Sequence, residues 1–313
     1  MTATLRLGSR RSPMAVAQSR QVADMITERT GRQVEIVGVT TPGDVSRAEL
    51  TQIGGTGVFV SALREALLSG EVDLAVHSLK DLPAGPVAGI VLAAVPPRDD
   101  PRDALVARDG AKLADLPAGA RIGTGSPRRA AQLLAIRGDL QTVPIRGNAG
   151  TRLRQVTDGE LDGVVLAAAG LARIGQQNAI SQVFEPDEML PAPGQGALAV
   201  ECRDDDPELA GLLAAVNDEA SMAAAVAERS LLEALAAGCS APVGGYAAGT
   251  GQLLMRAAVL SPDGTRALRA HGSAPAADAR RLGQDLAAEL LRRGASDFLS
   301  GPNGPTNSGN DVQ

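Results

Sequence analysis

The sequence predicts an α/β protein of two similar lobes facing a cleft, plus a small C-terminal α/β domain with an open antiparallel sheet. Three observations predict it. Two strand–turn–helix segments recur with the same chemistry, two turn–strand segments follow them in the same order, and proline-rich joins separate the repeats. A length of 313 residues suits two or three domains of roughly 100–200 residues.

The first repeat pairs Arg6-Leu-Gly-Ser-Arg-Arg-Ser-Pro13 with Arg121-Ile-Gly-Thr-Gly-Ser-Pro127. Each reads as a short strand, a glycine turn, a serine N-cap and a proline at the first helical position, where its missing N–H is no loss. The second pairs Gly70-Glu-Val-Asp-Leu-Ala-Val-His77 with Gly159-Glu-Leu-Asp-Gly-Val-Val-Leu166. Each is a helix end, a turn and an apolar run suited to a buried parallel strand. Pro96-Pro-Arg-Asp-Asp-Pro101 reads as a stiff crossover, Pro191-Ala-Pro-Gly-Gln-Gly196 as the return hinge, and Ala197–Glu201 as a strand rejoining the first sheet. The expected organisation is a first lobe of residues 1–97 and 197–216, a second lobe of 102–191, a third domain of 217–299 and a disordered tail of 300–313. Within the third domain the pattern predicts a helix over 218–237, an irregular loop over 239–245, two strands around the Ser261-Pro-Asp-Gly264 turn and an amphipathic helix over 276–293.

Composition removes several function classes. Apolar residues make up 44% and charged residues 21%, ordinary for a globular chain. Thirty basic residues face 36 acidic ones, so any anion site must be a local concentration of Arg or Lys. Aromatics at 1% argue against base stacking, hence against a nucleic-acid partner. Cys202, Cys239, His77 and His271 have no metal-ligand spacing, so no metal is expected. The N-terminus lacks an apolar signal core and no run reaches membrane-spanning length, so the expectation is a cytoplasmic protein without a membrane partner.

In open α/β sheets, ligands collect at strand carboxyl ends and helix N-termini. Arg10, Arg128, Arg129, Arg146, Arg152 and Arg173 all fall there, which in an acidic protein points to a ligand with several carboxylates or phosphates. Arg128 and Arg129 occupy a first helical turn, where a cation costs about 0.3–1 kcal/mol unless an anion compensates it. The expectation is that a ligand supplies that anion; the alternative is a solvated helix start. Lys80 and Asp81 follow a buried strand, either as a surface turn pair or as a carboxylate placed to stabilise a ligand cation. Cys239, in a loop after a helix, is either reactive or an ordinary free thiol.

The blocks LRLGSRRSP, GGTGVFVSALREALLSGEVDLAVHSLKDLP, RDDPRDALV, IGTGSPRRAAQL, IRGNAGTRL, LAAAGLARIG, LPAPGQGALAVECR and AERSLLEALAAGCSAPVGGYA resemble, in order, the porphobilinogen deaminase (hydroxymethylbilane synthase) family. The resemblance implies two periplasmic-binding-protein-like lobes and a small third domain. It implies a transferase of tetrapyrrole and heme biosynthesis, monomeric, that deaminates four porphobilinogen molecules and joins them head to tail on a covalent primer, releasing hydroxymethylbilane. The primer is a dipyrromethane cofactor held by Cys239 through a thioether, each pyrrole bearing an acetate and a propionate. The resemblance assigns cofactor binding to Ser78, Lys80, Asp81, Thr124, Ser126, Arg128, Arg129, Arg146 and Gly147. It assigns substrate binding to Arg10, Ser12, Phe59, Arg146, Arg152, Arg173 and Gln195, and catalysis to Asp81. One departure stands out: Gly54-Gly-Thr-Gly57 carries Thr56 where the family has lysine. The rival reading is a two-lobed binding module for an anionic small molecule. A nucleotide-dependent transferase is weaker, because no GxxxxGK[ST] loop exists.

Overall fold

The computed structural model describes residues 3–39, 57–238 and 241–299, with the side chains of residues 57–59 excepted. Thr56, Cys239 and the 300–313 tail therefore lie outside the described residues, as does the side chain of Phe59.

From the N-terminus run β1 (Leu5–Ser9), α1 (Pro13–Thr30), β2 (Val34–Gly38), α2 (Gly57–Leu68), β3 (Leu74–Ser78) and β4 (Ile90–Ala94). The chain then crosses over to β5 (Asp103–Ala107), β6 (Arg121–Thr124), α3 (Pro127–Ile136), β7 (Gln141–Pro144), α4 (Ala149–Thr157), β8 (Gly163–Ala167), α5 (Ala168–Arg173) and β9 (Gln182–Val183). It returns through β10 (Leu198–Arg203) and α6 (Pro207–Leu213), and ends with α7 (Glu219–Ala234), β11 (Val243–Ala248), β12 (Gln252–Leu260), β13 (Ala267–Pro275), α8 (Ala279–Arg292) and α9 (Ser296–Leu299).

Two five-stranded sheets result, ordered β2-β1-β3-β10-β4 and β7-β6-β8-β5-β9. They are topological copies. In each, three parallel strands are followed by one antiparallel strand, β10 or β5, and each of those strands follows a crossover. The sequence repeat captures the parallel half. Apolar runs do not encode strand direction, so the antiparallel pairing is a finding of the structure.

The paired N-caps form as the sequence predicts. Ser12 Oγ accepts from Ala15 N at 3.3 Å and Ser126 Oγ from Arg129 N at 3.4 Å. Val22, Ala23 and Ile26 of α1 recur at helical spacing and pack with Leu5, Leu7, Leu74 and Val76. Leu63, Ala66 and Leu67 of α2 pack with Val72 and Ala75, so the first sheet is covered on both faces.

The third sheet is the antiparallel meander β11-β12-β13. The loop expected over 239–245 is corrected at its end, because Val243 already begins β11; its two glycines hide the strand pattern, and β12 supplies the pairing. Helices α7 and α8 cover one face through Ala227, Leu231, Leu282, Leu286 and Leu290. Gly283 permits their close approach: a Cβ there would stand 2.2 Å from the Ala227 carbonyl.

Both crossovers are tied together. Gly196, at φ +85°, accepts at its carbonyl a hydrogen bond from Asp99 N, and a Cβ on it would fall 2.5 Å from the Asp99 carbonyl. Fully buried Glu228 of α7 accepts two bonds from Arg98 (2.6 and 3.1 Å), one from Gly194 N and one from Ala247 N at 2.8 Å. One carboxylate thus joins each crossover to the third sheet. Among the described residues no single helix is long and apolar enough to cross a membrane.

Candidate active site

Strand β3 ends in a 3-10 turn, Leu79–Asp81, that turns Lys80 and Asp81 away from the sheet. Beside it, the N-terminus of α1 brings Arg10 and Ser12 to the same place. Arg10, Ser12, Gln18, His77, Ser78 and Asp81 line one pocket of about 150 Å³, and Asp81 is the only carboxylate among its described lining residues. Gln18 Nε2 donates to Ser78 Oγ at 2.9 Å.

In the second lobe, β6 and β7 end at the N-termini of α3 and α4, placing Thr124, Ser126, Arg146 and Gly147 at one edge. Thr124 Oγ1 accepts from Ser126 N at 3.2 Å. Arg146 is exposed, and Arg152 Nε returns to the Gly147 carbonyl at 2.9 Å. In the contacts described, the hydroxyls of Ser12, Ser78, Thr124 and Ser126 all act as acceptors, so each O–H can be donated to an anion.

Arg128 and Arg129 depart from expectation. Both are buried, and both meet Asp103 at 2.7 Å. Arg129 also donates to the Val165 carbonyl at 3.0 Å, and Arg128 donates to the Leu190 carbonyl. The anion that offsets the unfavourable helix position is therefore in the protein, at the start of β5. The expectation that a ligand alone supplies it is corrected. Burial opposes ionisation of Asp103, yet the two guanidiniums outweigh it and hold its pKa at about 2. The sequence signal was available: Asp103 is a charged residue opening a wholly apolar strand.

Gln195 is likewise fully buried. Its Nε2 donates to Asp103 Oδ1 (2.8 Å) and the Pro101 carbonyl (2.7 Å), while its Oε1 accepts from Arg129 Nη2 (3.3 Å) and Lys80 Nζ (3.4 Å). One return-hinge amide thus connects Lys80 of the first lobe to the Asp103 cluster of the second. Burial, then the charge of Arg129, pushes the Lys80 ammonium down to about 8. Arg152 is also lowered, by burial and by Arg129. Even with Asp103 counted, the cleft is a region where cations crowd one another and a bound anion relieves them.

Arg173 does not join this group. Its guanidinium holds Asp99 (2.7 Å) and the Gly196 carbonyl (2.9 Å), bracing the two crossovers. The expectation that it lies at a strand end or helix start is corrected: Arg173 closes the short helix α5, and sequence spacing could not show that a crossover carboxylate reaches it. A further buried trio was also missed: Glu201 accepts from Arg64 Nη2 (2.6 Å) and Nε (3.0 Å) and lies 3.3 Å from His77 Nε2. It stands at about pKa 2, because these cationic and donor groups outweigh its burial.

The donor set fits an acidic pyrrole cofactor. Hydroxyls with free protons, crowded cations and helix N-termini are the donors that the two acetates and two propionates of a dipyrromethane require, and Arg128 Nε is buried with no hydrogen-bond partner.

Comparison with known proteins agrees with that chemistry. Residues 5–211 match the family model described as "Porphobilinogen deaminase, dipyromethane cofactor binding domain", and residues 222–292 match "Porphobilinogen deaminase, C-terminal domain". The porphobilinogen deaminase of Thermobifida fusca is 56% identical over 311 residues, covering 96% of this chain and 97% of its own. Porphobilinogen deaminase 1 of Streptomyces coelicolor is 54% identical, covering 94% and 97%. A periplasmic substrate-binding protein from Coxiella burnetii is similar at 19% identity and a TM-score of 0.43, over 68% of this chain and 92% of that one. With both family models matched in order and relatives more than half identical along nearly its whole length, the chain belongs to the porphobilinogen deaminase family.

Proposed function

We propose that Asp81 is the catalytic carboxylate of this enzyme and Cys239 the point of cofactor attachment. The reaction is that of the family: four porphobilinogen molecules lose ammonia and are joined head to tail, and hydrolysis releases hydroxymethylbilane. When bound, the dipyrromethane supplies the free pyrrole carbon to which the first substrate is joined.

The chain's own residues provide charge and position. Loss of ammonia builds positive charge on a pyrrole, and Asp81, fixed on a short turn, lies where an anion can stabilise that charge and take or return the ring N–H proton. Ser78, Lys80, Thr124, Ser126, Arg146 and Gly147 hold cofactor carboxylates, and Arg10, Ser12 and Arg152 hold those of the incoming substrate. Arg128, Arg129 and Gln195 act on the ligand from within the Asp103 cluster, and Arg173 acts through the crossovers it braces. Phe59 covers the rings. The same reading divides the chain into lobes of residues 1–97 with 197–216 and 102–191, and a cofactor-carrying domain of 217–299. It makes the protein a cytoplasmic monomer without nucleic-acid or membrane partners.

The observation that carries the proposal is the pocket in which Asp81, beside Arg10, Ser12 and Ser78, is the only carboxylate among the described lining residues. Asp81→Asn keeps shape and removes charge, so single-turnover ammonia release should slow by about a hundredfold or more, and Asp81→Glu should retain more activity than Asn. Release at the wild-type rate in Asp81→Asn would reduce Asp81 to a turn residue.

A further inference from the structure

A second cavity, of about 370 Å³, lies between β4 and α7 and is lined by Glu201, whose neighbour His77 lines the Asp81 pocket. Pro86, Val87, Ile90, Leu92, Met222 and Val226 give it an apolar wall, while Arg64, Arg229, Arg280, Glu201 and Glu233 supply its charges. These charges do not balance. Glu201 is taken by Nε and Nη2 of Arg64, and Glu233 by Arg280 at 3.3 Å. Arg229 makes no ion pair among the described residues. Its Nη2 donates to the carbonyls of Pro83 and Ala84, at 2.9 Å each, and its Nη1 is buried without a hydrogen-bond partner. A guanidinium that lines a cavity of ligand size and keeps one N–H without an acceptor marks a place for an anion.

We infer that this cavity is an effector site for a small carboxylate bearing an apolar chain. The carboxylate meets the Arg229 guanidinium as it turns into the cavity, and the chain lies against Val87, Ile90 and Val226. A phosphate or sulfate satisfies the charge but leaves the apolar wall uncovered. The site is coupled to the chemistry through Arg229 itself, because the two carbonyls it holds lie two and three residues after Asp81. An anion that draws the guanidinium into the cavity loosens those bonds and lets the Asp81 turn shift, so occupancy lowers turnover. The kinetic part rests on the assignment of Asp81; the binding part does not.

The test is calorimetric titration of the cofactor-loaded enzyme with hexanoate, with 1-hexanol as the uncharged control, alongside steady-state kinetics. Expected is saturable hexanoate binding with none for hexanol, and a fall in kcat with KM unchanged. Arg229→Gln, which keeps donors for the two carbonyls, and Val226→Phe, which fills the cavity, should each weaken binding at least tenfold. Arg152→Gln in the cleft should leave binding intact. Unchanged binding in both cavity variants, its loss in Arg152→Gln, or inhibition relieved by excess porphobilinogen would overturn the site. Binding that depends on Arg229 but leaves kcat untouched would refute the coupling to Asp81 while leaving the site in place.

Discussion

Asp103→Asn tests whether the cationic cleft is built on an internal anion. Asp103 is fully buried and faces two guanidiniums at 2.7 Å, with further bonds from Arg129 Nε at 2.9 Å and Gln195 Nε2 at 2.8 Å. Asparagine fills the same space but leaves two buried cations without their counter-ion. Breaking a buried pair in this way costs about 3–5 kcal/mol, a large share of a total stability of about 5–15 kcal/mol. Urea unfolding of the cofactor-free protein should show the midpoint falling by about 1 M or more, for a slope near 3 kcal/mol per molar. Arg128→Leu removes one cation while Arg129 still meets Asp103, so it should cost less, about 1–3 kcal/mol. The double variant should be more stable than the sum of the singles predicts, by about 0.5–3 kcal/mol. Because ligand carboxylates supply the same charge, the Asp103→Asn deficit should shrink in the cofactor-loaded enzyme. If Asp103→Asn unfolds within about 0.5 kcal/mol of wild type, the guanidiniums are compensated elsewhere and the argument fails.

Cys239→Ala should give protein whose intact mass equals its sequence and which fails the colour reaction of pyrroles with acidic aldehyde, whereas Cys202→Ala keeps the added mass; the reverse result would move the attachment site. Cys202 is buried in the first lobe with its thiol pushed up to about 11, mainly by burial, which makes it a poor nucleophile. Glu228→Gln should lower the thermal midpoint and increase proteolytic cleavage in the two crossovers, because Arg98 is left buried without its anion; an unchanged cleavage pattern would count against the bracing role. Acid stability follows from Asp103 and Glu201, depressed to about 2 from ordinary values of 3.8 and 4.5. Their stabilisation is present above the ordinary values and is lost as pH falls toward 2, so the unfolding free energy should decline across that window. The decline should be shallower in Asp103→Asn, and an equal slope would show that this carboxylate does not contribute.

Much of the fold is legible because local rules agree: Ser-Pro caps open α1 and α3, apolar runs mark β3 and β8, and prolines mark the joins. The family blocks make the chemistry legible as well, since they place Asp81 after a buried strand and bring Arg10 and Ser12 to the start of a helix beside it. β11 was partly hidden because glycines carry no side-chain pattern and its partner strand is needed to define it. The sequence by itself determined where most of the cations sit along the chain, at strand ends and helix starts, with Arg173 at the end of α5 the exception. Only the tertiary structure decided which of them face a partner already present. Asp103 is 25 residues from Arg128, Asp99 is 74 from Arg173, and Glu228 is 130 from Arg98; such pairings arise when separate sheets and crossovers pack together. Charge type is a local property of sequence, but charge compensation is a property of three-dimensional neighbours, because Coulomb attraction depends on spatial distance and burial.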